Sequence, residues 1–317
     1  MKIFSIVVPV YYNELNLPDT IPQLMDLSKD LPDYRLELVF VDDGSGDCSL
    51  DVLIDFQSKY PDSIKAVKLT RNFGSMAAIQ AGFTVAAGDC VGIIAADLQD
   101  PPELLVEMVH HWENGNKAIF AVRQDREESI VQKFFSNSYY FLIRKFAVRN
   151  YPRGGFDFLL ADRQVVNEVN RIHEKNTNIM TLIYWLGFKP VLIPYVRRNR
   201  KKGKSRWTLG KKLKLFVDTF VGFSFFPIQI LSVIGFIVAI GSFLYGAYIL
   251  LYKIFQGIDV AGWVPMMVIL TFTAGLQMCM LGILGEYLWR TLDESRSRPF
   301  YVIDEIYKPS TKVEEKQ

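Results

Sequence analysis

The sequence predicts an α/β domain built on a mostly parallel sheet, followed by two helices able to cross a bilayer. Three observations carry this expectation. From Ile3 to Val122, apolar runs of strand length alternate with segments of helical spacing. Each run ends in a polar or glycine cluster, so several loops converge on one edge of the sheet. Farther on, Pro227–Tyr252 and Trp263–Leu284 carry no charge, and each exceeds the ~20 residues that span a hydrocarbon core.

Ile3–Val10 reads as the first strand and Leu17–Leu27 as the first helix. The N-terminal apolar run has no small-residue cleavage site and enters polar turn residues directly, so it reads as a strand rather than a signal peptide. Glu37–Val41 is a second strand ending in Asp42-Asp43-Gly44-Ser45, and Leu50–Lys59 a helix. Ile64–Leu69 is a strand followed by Arg71-Asn72-Phe73-Gly74, Ser75–Ala86 a helix of small residues, and Cys90–Ala96 a buried strand. Glu103–Trp112 has helical spacing, and Ala118–Val122 reads as another strand ending at Arg123. The segment 124–148 interleaves aromatic and basic residues, and reads either as a core helix with a solvated face or, preferred here, as a helix at a membrane surface. Gly154–Phe158 is a turn, and Asp162-Arg163 caps a helix running to about His173.

Composition narrows the class. With 317 residues, a net charge of +2 and 50% hydrophobic residues, the chain holds one sizeable domain plus something smaller. Cys48, Cys90 and Cys279 are too scattered for a disulfide framework or a zinc site. Residues 197–214 are rich in Lys and Arg and hold no acidic residue. Such a run could meet nucleic acid, but the apolar segments that follow make anionic lipid head groups the simpler partner. Basic residues also follow the second apolar segment, at Arg290, Arg296 and Arg298. The positive-inside rule then puts both termini and the α/β domain in the cytoplasm of a multi-pass protein of the cell membrane. The expected domains are 1–200, a basic juxtamembrane segment 201–226, spans at 227–252 and 263–287, and a cytoplasmic tail 290–317.

The stretch Ile93-Ile94-Ala95-Ala96-Asp97-Leu98-Gln99-Asp100-Pro101-Pro102 organises the chemistry. Polar oxygens just past the carboxyl end of a buried strand are where open α/β sheets bind ligands. A carboxylate and an amide oxygen two residues apart, Asp97 and Gln99, are hard ligands suited to Mg²⁺ or Mn²⁺ carrying a diphosphate. The same stretch also reads as a plain strand-to-helix turn with an Asp cap.

Eight stretches in order decide between the two. They are Val8-Pro9-Val10-Tyr11-Tyr12-Asn13-Glu14, Val41-Asp42-Asp43-Gly44-Ser45, Arg71-Asn72-Phe73-Gly74, Ala96–Pro102, Asp157-Phe158, Asp162-Arg163, Arg200 with Gly203 and Ser205, and Gly285-Glu286-Tyr287. Together they resemble glycosyltransferase family 2, and within it the polyprenyl-phosphate glycosyltransferases such as bactoprenol glucosyltransferases and dolichol-phosphate mannose synthases. The resemblance implies a Rossmann-like GT-A fold, a nucleotide-sugar donor with UDP-glucose as the lead, a divalent metal, and an undecaprenyl phosphate acceptor. By position it implies that Pro9, Tyr11, Glu14, Asp42, Asp43 and Ala96 hold the nucleotide sugar. Asp97 and Gln99 would hold the metal. Arg123, Arg200 and Arg206 would face phosphates, with Lys133, Ser136 and Arg123 toward the lipid phosphate. Asp157, Asp97 and Arg200 would carry catalysis, Asp157 more as an orienting group than a base. Ala95 departs from the family's usual Asp at that position, which removes one sugar or metal contact.

Two other readings stay open: a processive polysaccharide synthase of the same superfamily, and a non-catalytic membrane scaffold. Ser205-Arg206-Trp207 lacks the Gln expected of the former, and only Ala95 favours the latter. Ser242-x-x-x-Gly246 is a spacing that packs helices, so a homo-oligomer is left open.

Overall fold

In a computed structural model of the chain, the described residues are 1–123, 141–148, 151–152, 156, 158–172, 174, 177–198, 210, 218, 221–224, 226–256 and 262–307. They form two units, Met1–Thr219 with Pro299–Gln317, and Phe220–Arg298.

The first unit is built on one eight-stranded sheet. Its strands are β1 (Lys2–Val10), β2 (Tyr34–Asp42), β3 (Ile64–Leu69), β4 (Cys90–Ile93), β5 (Ala118–Arg123), β6 (Phe158–Asp162), β7 (Pro190–Tyr195) and β8 (Ile303–Tyr307). Their spatial order is β7-β5-β6-β4-β1-β2-β3-β8. β1 pairs in parallel with both β2 and β4, β2 with β3, and β5 with β7. Two antiparallel strands interrupt the pattern: β6, between β4 and β5, and β8, on the outer edge of β3. The chain runs outward from β1 through β2 and β3, then returns to β4 on the other side of β1. That reversal opens a crevice at the carboxyl ends of β1 and β4, the place where such sheets bind ligands.

Alternation along the strands sorts the core into two layers. Phe4, Ile6 and Val8 of β1 pack with α1 (Leu17–Asp26), α2 (Ser49–Lys59) and α4 (Leu104–Glu113), through Leu17, Leu53 and Leu105 among others. On the other face, α3 (Ser75–Val85) packs on β1 and β2, and α5 (Arg163–Arg171) packs on α3. Gly82 of α3 makes this close approach possible, because a Cβ there would lie 2.3 Å from Val7 Cγ1. Asp162 caps α5 by accepting from the Gln164 amide at 2.8 Å, and Asn178 caps α6 (Ile179–Trp185) in the same way.

Several expectations change in detail. The strand expected over Cys90–Ala96 is regular only to Ile93, although the Ile94 amide still reaches the Val7 carbonyl at 3.1 Å. β6, α6, β7 and β8 had no counterpart in the sequence reading. Residues 303–307, expected in a tail, are instead an edge strand: the Thr70 amide bonds the Val302 carbonyl at 3.1 Å, and Lys68 meets Asp304 at 2.6 Å. Of the segment 124–148, only its end is described, as a π-helical turn at Ile143–Ala147.

In the second unit, the expected spans fold as helices α7 (Phe226–Gln256) and α8 (Trp263–Ser295). Over the described residues, no helix is long and apolar enough to cross a membrane, so the two expected spans appear as long helices without that length of apolar chain. The Tyr287 hydroxyl donates to the Ser224 carbonyl at 3.1 Å, and Glu286 pairs with Arg290 one turn on.

Candidate active site

The loops after β1, β2, β3 and β4 and the end of β5 meet at the carboxyl edge of the sheet. β4 points the same way as β1, and two successive antiparallel steps, β4 to β6 and β6 to β5, bring the end of β5 to that same edge. β7 is parallel to β5, so its last residue arrives there too. Pro9, Tyr11, Asp42, Asp43, Asp97, Gln99 and Arg123 are therefore all brought to one edge.

The first two loops are tied together by side chains. The Tyr12 amide donates to Ser45 Oγ at 3.0 Å, the Asn13 amide to Ser49 Oγ at 2.8 Å, and the Cys48 amide to Glu14 Oε2 at 3.0 Å. Glu14, expected to hold the nucleoside, thus accepts from the amide of the residue just before α2. Tyr11 stands edge-on to Tyr12, with ring centroids 4.7 Å apart.

Asp42 and Asp43 are both buried, yet they are used differently. Asp43 receives the Phe73 amide at 2.7 Å and the Gly74 amide at 2.9 Å, so its two oxygens clamp the loop that starts α3. Gly44 lets that loop close in: its φ is +67°, and a Cβ there would lie 2.6 Å from the Arg71 carbonyl carbon. Burial pushes the Asp43 carboxyl up to about 6 against the pull of those two amides. Asp42 accepts from the Ser45 amide at 3.2 Å through Oδ2, while its buried Oδ1 has no hydrogen-bond partner among the described residues. Burial raises its carboxyl above the usual range, with the Ser45 contacts opposing. A buried acceptor left open beside a crevice suits a ligand N–H or O–H.

After β4 the chain turns through Ala96, whose carbonyl accepts from Thr20 Oγ1 at 2.8 Å. Asp97 Oδ1 accepts from the Gln99 amide at 3.3 Å, and Leu98 between them has φ +53°. A cleft of about 460 Å³ lies between this turn and α1, lined by Asn16, Pro18, Asp19, Gln23, Asp97 and Leu98, among others. Gln99 Nε2 donates to the Arg198 carbonyl at 3.4 Å, which points the amide nitrogen rather than its oxygen at the backbone. Among the described residues no three His, Cys, Asp or Glu side chains cluster as a metal cage. One carboxylate and one amide oxygen, completed by diphosphate and water, nevertheless fit the way Mg²⁺ or Mn²⁺ is commonly held.

Arg123 ends β5, and its Nε donates to the Tyr195 hydroxyl at 3.4 Å. Asp157, Arg200, Arg206, Lys133 and Ser136 lie outside the described residues. The sequence reading missed Tyr195 and gave Asp100 no role. The available signals were an aromatic residue closing the apolar run Val191–Pro194, and a carboxylate directly before Pro101.

The sequence profile of glycosyl transferase family 2 matches residues 5–170. An uncharacterized glycosyltransferase of Bacillus subtilis is 37% identical over 96% of this chain and 94% of its own. A bactoprenol glucosyl transferase of Shigella phage SfV is 33% identical over 96% of this chain and 98% of its own. Among solved structures, mannosyl-3-phosphoglycerate synthase of Rubrobacter xylanophilus superposes with a TM-score of 0.47 at 15% identity, over 68% of this chain and 71% of that one.

Proposed function

This chain belongs to glycosyltransferase family 2, and on that footing we propose that it moves a hexose from a nucleotide sugar, UDP-glucose first, onto undecaprenyl phosphate at the cytoplasmic face of the cell membrane. The observation that carries the acceptor is the extent of similarity to a bactoprenol glucosyl transferase, which takes in 96% of the chain, sheet and long helices alike.

The second unit supports the membrane part. Its helices leave large apolar side chains outward, with Phe236 70% and Phe272 68% exposed. Apolar area of that kind is a burden in water and is matched by lipid. The chain leaves the first unit after Thr219 and rejoins it at Pro299. Any passage through a bilayer between those points takes an even number of crossings.

In this reading Asp42 accepts from the base or ribose of the donor through its open Oδ1. Asp97 and Gln99 hold a divalent cation, whose contribution is to neutralise charge on the departing nucleoside diphosphate. Arg123 adds a fixed positive charge at the same edge. The acceptor's phosphate, with a second pKa near ~6, is largely ionised at neutral pH. Its oxygen bonds the anomeric carbon on the face opposite the leaving diphosphate, inverting the configuration, and no proton has to be removed first. Asp157 is accordingly assigned to orientation, which supplies a large share of such a barrier.

The test is the full chain in vesicles containing undecaprenyl phosphate, given a panel of nucleotide sugars with Mg²⁺, Mn²⁺ or EDTA. A lipid-linked hexose formed from UDP-glucose only when metal is present supports the reading. Sugar released at the same rate with and without lipid phosphate would show hydrolysis instead, and overturn the acceptor assignment.

A further inference from the structure

The loop bearing Asp97 and Gln99 is held from a distance by the end of β7. Tyr195 is 5% exposed and Asp100 fully buried. The Tyr195 hydroxyl donates to Asp100 Oδ1 at 2.6 Å, and Arg197 Nε lies 3.5 Å from the same oxygen. One residue on, the Arg198 amide donates to the Gln99 carbonyl at 2.8 Å, and Arg198 pairs with Glu103 at 3.1 Å. Residues 195–198 thus run along residues 99–103 as a strap. Between the points of attachment sits Leu98 in the left-handed region, a conformation that persists only when its surroundings enforce it. Thr20 pins one side of the turn through the Ala96 carbonyl, and Asp100 pins the other.

We infer that Tyr195 is a positioning residue for the transfer reaction: its hydroxyl fixes Asp100, and through Asp100 holds the Leu98 turn in the shape that presents Asp97 and Gln99 together to the divalent cation of the donor. The same hydroxyl accepts from Arg123, so one buried phenol sets the cation-binding turn and a phosphate-facing arginine relative to each other. The ring packs edge-on against Phe158 at 6.2 Å, so removing only the hydroxyl leaves the core contact in place. The inference rests on the assignment of Asp97 and Gln99 to the cation.

The experiment compares wild type, Tyr195→Phe, Asp100→Asn and Asp97→Asn in the full chain. Mn²⁺ binding in the presence of UDP is followed by the EPR signal of free Mn²⁺, and UDP affinity is measured separately in EDTA. Tyr195→Phe is expected to weaken Mn²⁺ binding about 5- to 10-fold with metal-free UDP affinity unchanged, and to raise the Mn²⁺ concentration for half-maximal transfer by the same factor at near-normal saturating kcat. Asp100→Asn, whose amide oxygen still accepts from Tyr195, is expected to weaken it less. Should Tyr195→Phe not fold, Asp100→Leu, which removes the acceptor of the same hydroxyl, decides in its place: weaker Mn²⁺ binding supports the inference and wild-type Mn²⁺ affinity overturns it. Wild-type Mn²⁺ affinity in Tyr195→Phe while Asp97→Asn loses binding overturns the role of Tyr195 alone. Wild-type affinity in Asp97→Asn overturns the underlying cation assignment.

Discussion

Truncating Asp42 and truncating Asp43 should have opposite consequences, although the two carboxylates are neighbours and both are buried. Asp43→Ala removes the acceptor of two short amide bonds, 2.7 Å from Phe73 and 2.9 Å from Gly74. Each donor left unsatisfied costs ~1–3 kcal/mol, and partial hydration of the loop offsets some of that, giving a loss of ~2–4 kcal/mol in stability. Asp42→Ala gives up one amide bond at 3.2 Å, but it also relieves a buried oxygen that has no hydrogen-bond partner among the described residues. These effects nearly cancel, so stability should stay within ~1 kcal/mol of wild type. If the open Oδ1 meets the donor, its loss removes a charge-assisted hydrogen bond worth ~1.5–3 kcal/mol, or ~10- to 150-fold in nucleotide affinity. Calorimetric titration with UDP and denaturant unfolding read the two effects separately. Wild-type UDP affinity in Asp42→Ala would remove Asp42 from the donor site. Wild-type stability in Asp43→Ala would refute the reasoning about the clamped loop.

Three further outcomes follow from the same structure. A chain ending at Arg298 loses β8, including the Lys68–Asp304 pair and the bond of Thr70 to Val302; compared with a chain ending at Tyr307, its first unit should unfold ~2–4 kcal/mol more easily and self-associate through the bared edge of β3, and equal denaturation midpoints would contradict this. Burial pushes the Asp43 carboxyl up to about 6 from the ordinary 3.8, so its contribution to stability is complete below about 3.8 and fades as pH rises through about 6, by at most ~3 kcal/mol; unfolding midpoints measured from pH 4 to 7 should fall more steeply in wild type than in Asp43→Asn. Asp97→Asn should lower transfer at least ~100-fold, the scale of a lost metal ligand, with an unchanged unfolding midpoint; normal turnover with Mg²⁺ or Mn²⁺ would exclude Asp97 from that role.

The amino-acid sequence by itself determined the first half of the sheet. β1 to β4 are strongly apolar, each is followed by a local stop signal, and the helices between them bury faces set by spacing alone. Local signals of that kind also marked Asp42, Asp43, Asp97 and Gln99, because loop residues just past buried strands stand out in a linear reading. Tertiary structure decided what local pattern could not encode. β6 and β8 pair antiparallel with strands far away in sequence, and β7 carries Pro190 and Pro194, so nothing in their own few residues names their partners. The distinct uses of Asp42 and Asp43 depend on which amides the loop after β3 brings within reach. The contact of Tyr195 with Asp100 joins residues 95 positions apart. Its energetic meaning comes from burial, which exists only once the sheet has closed around both groups.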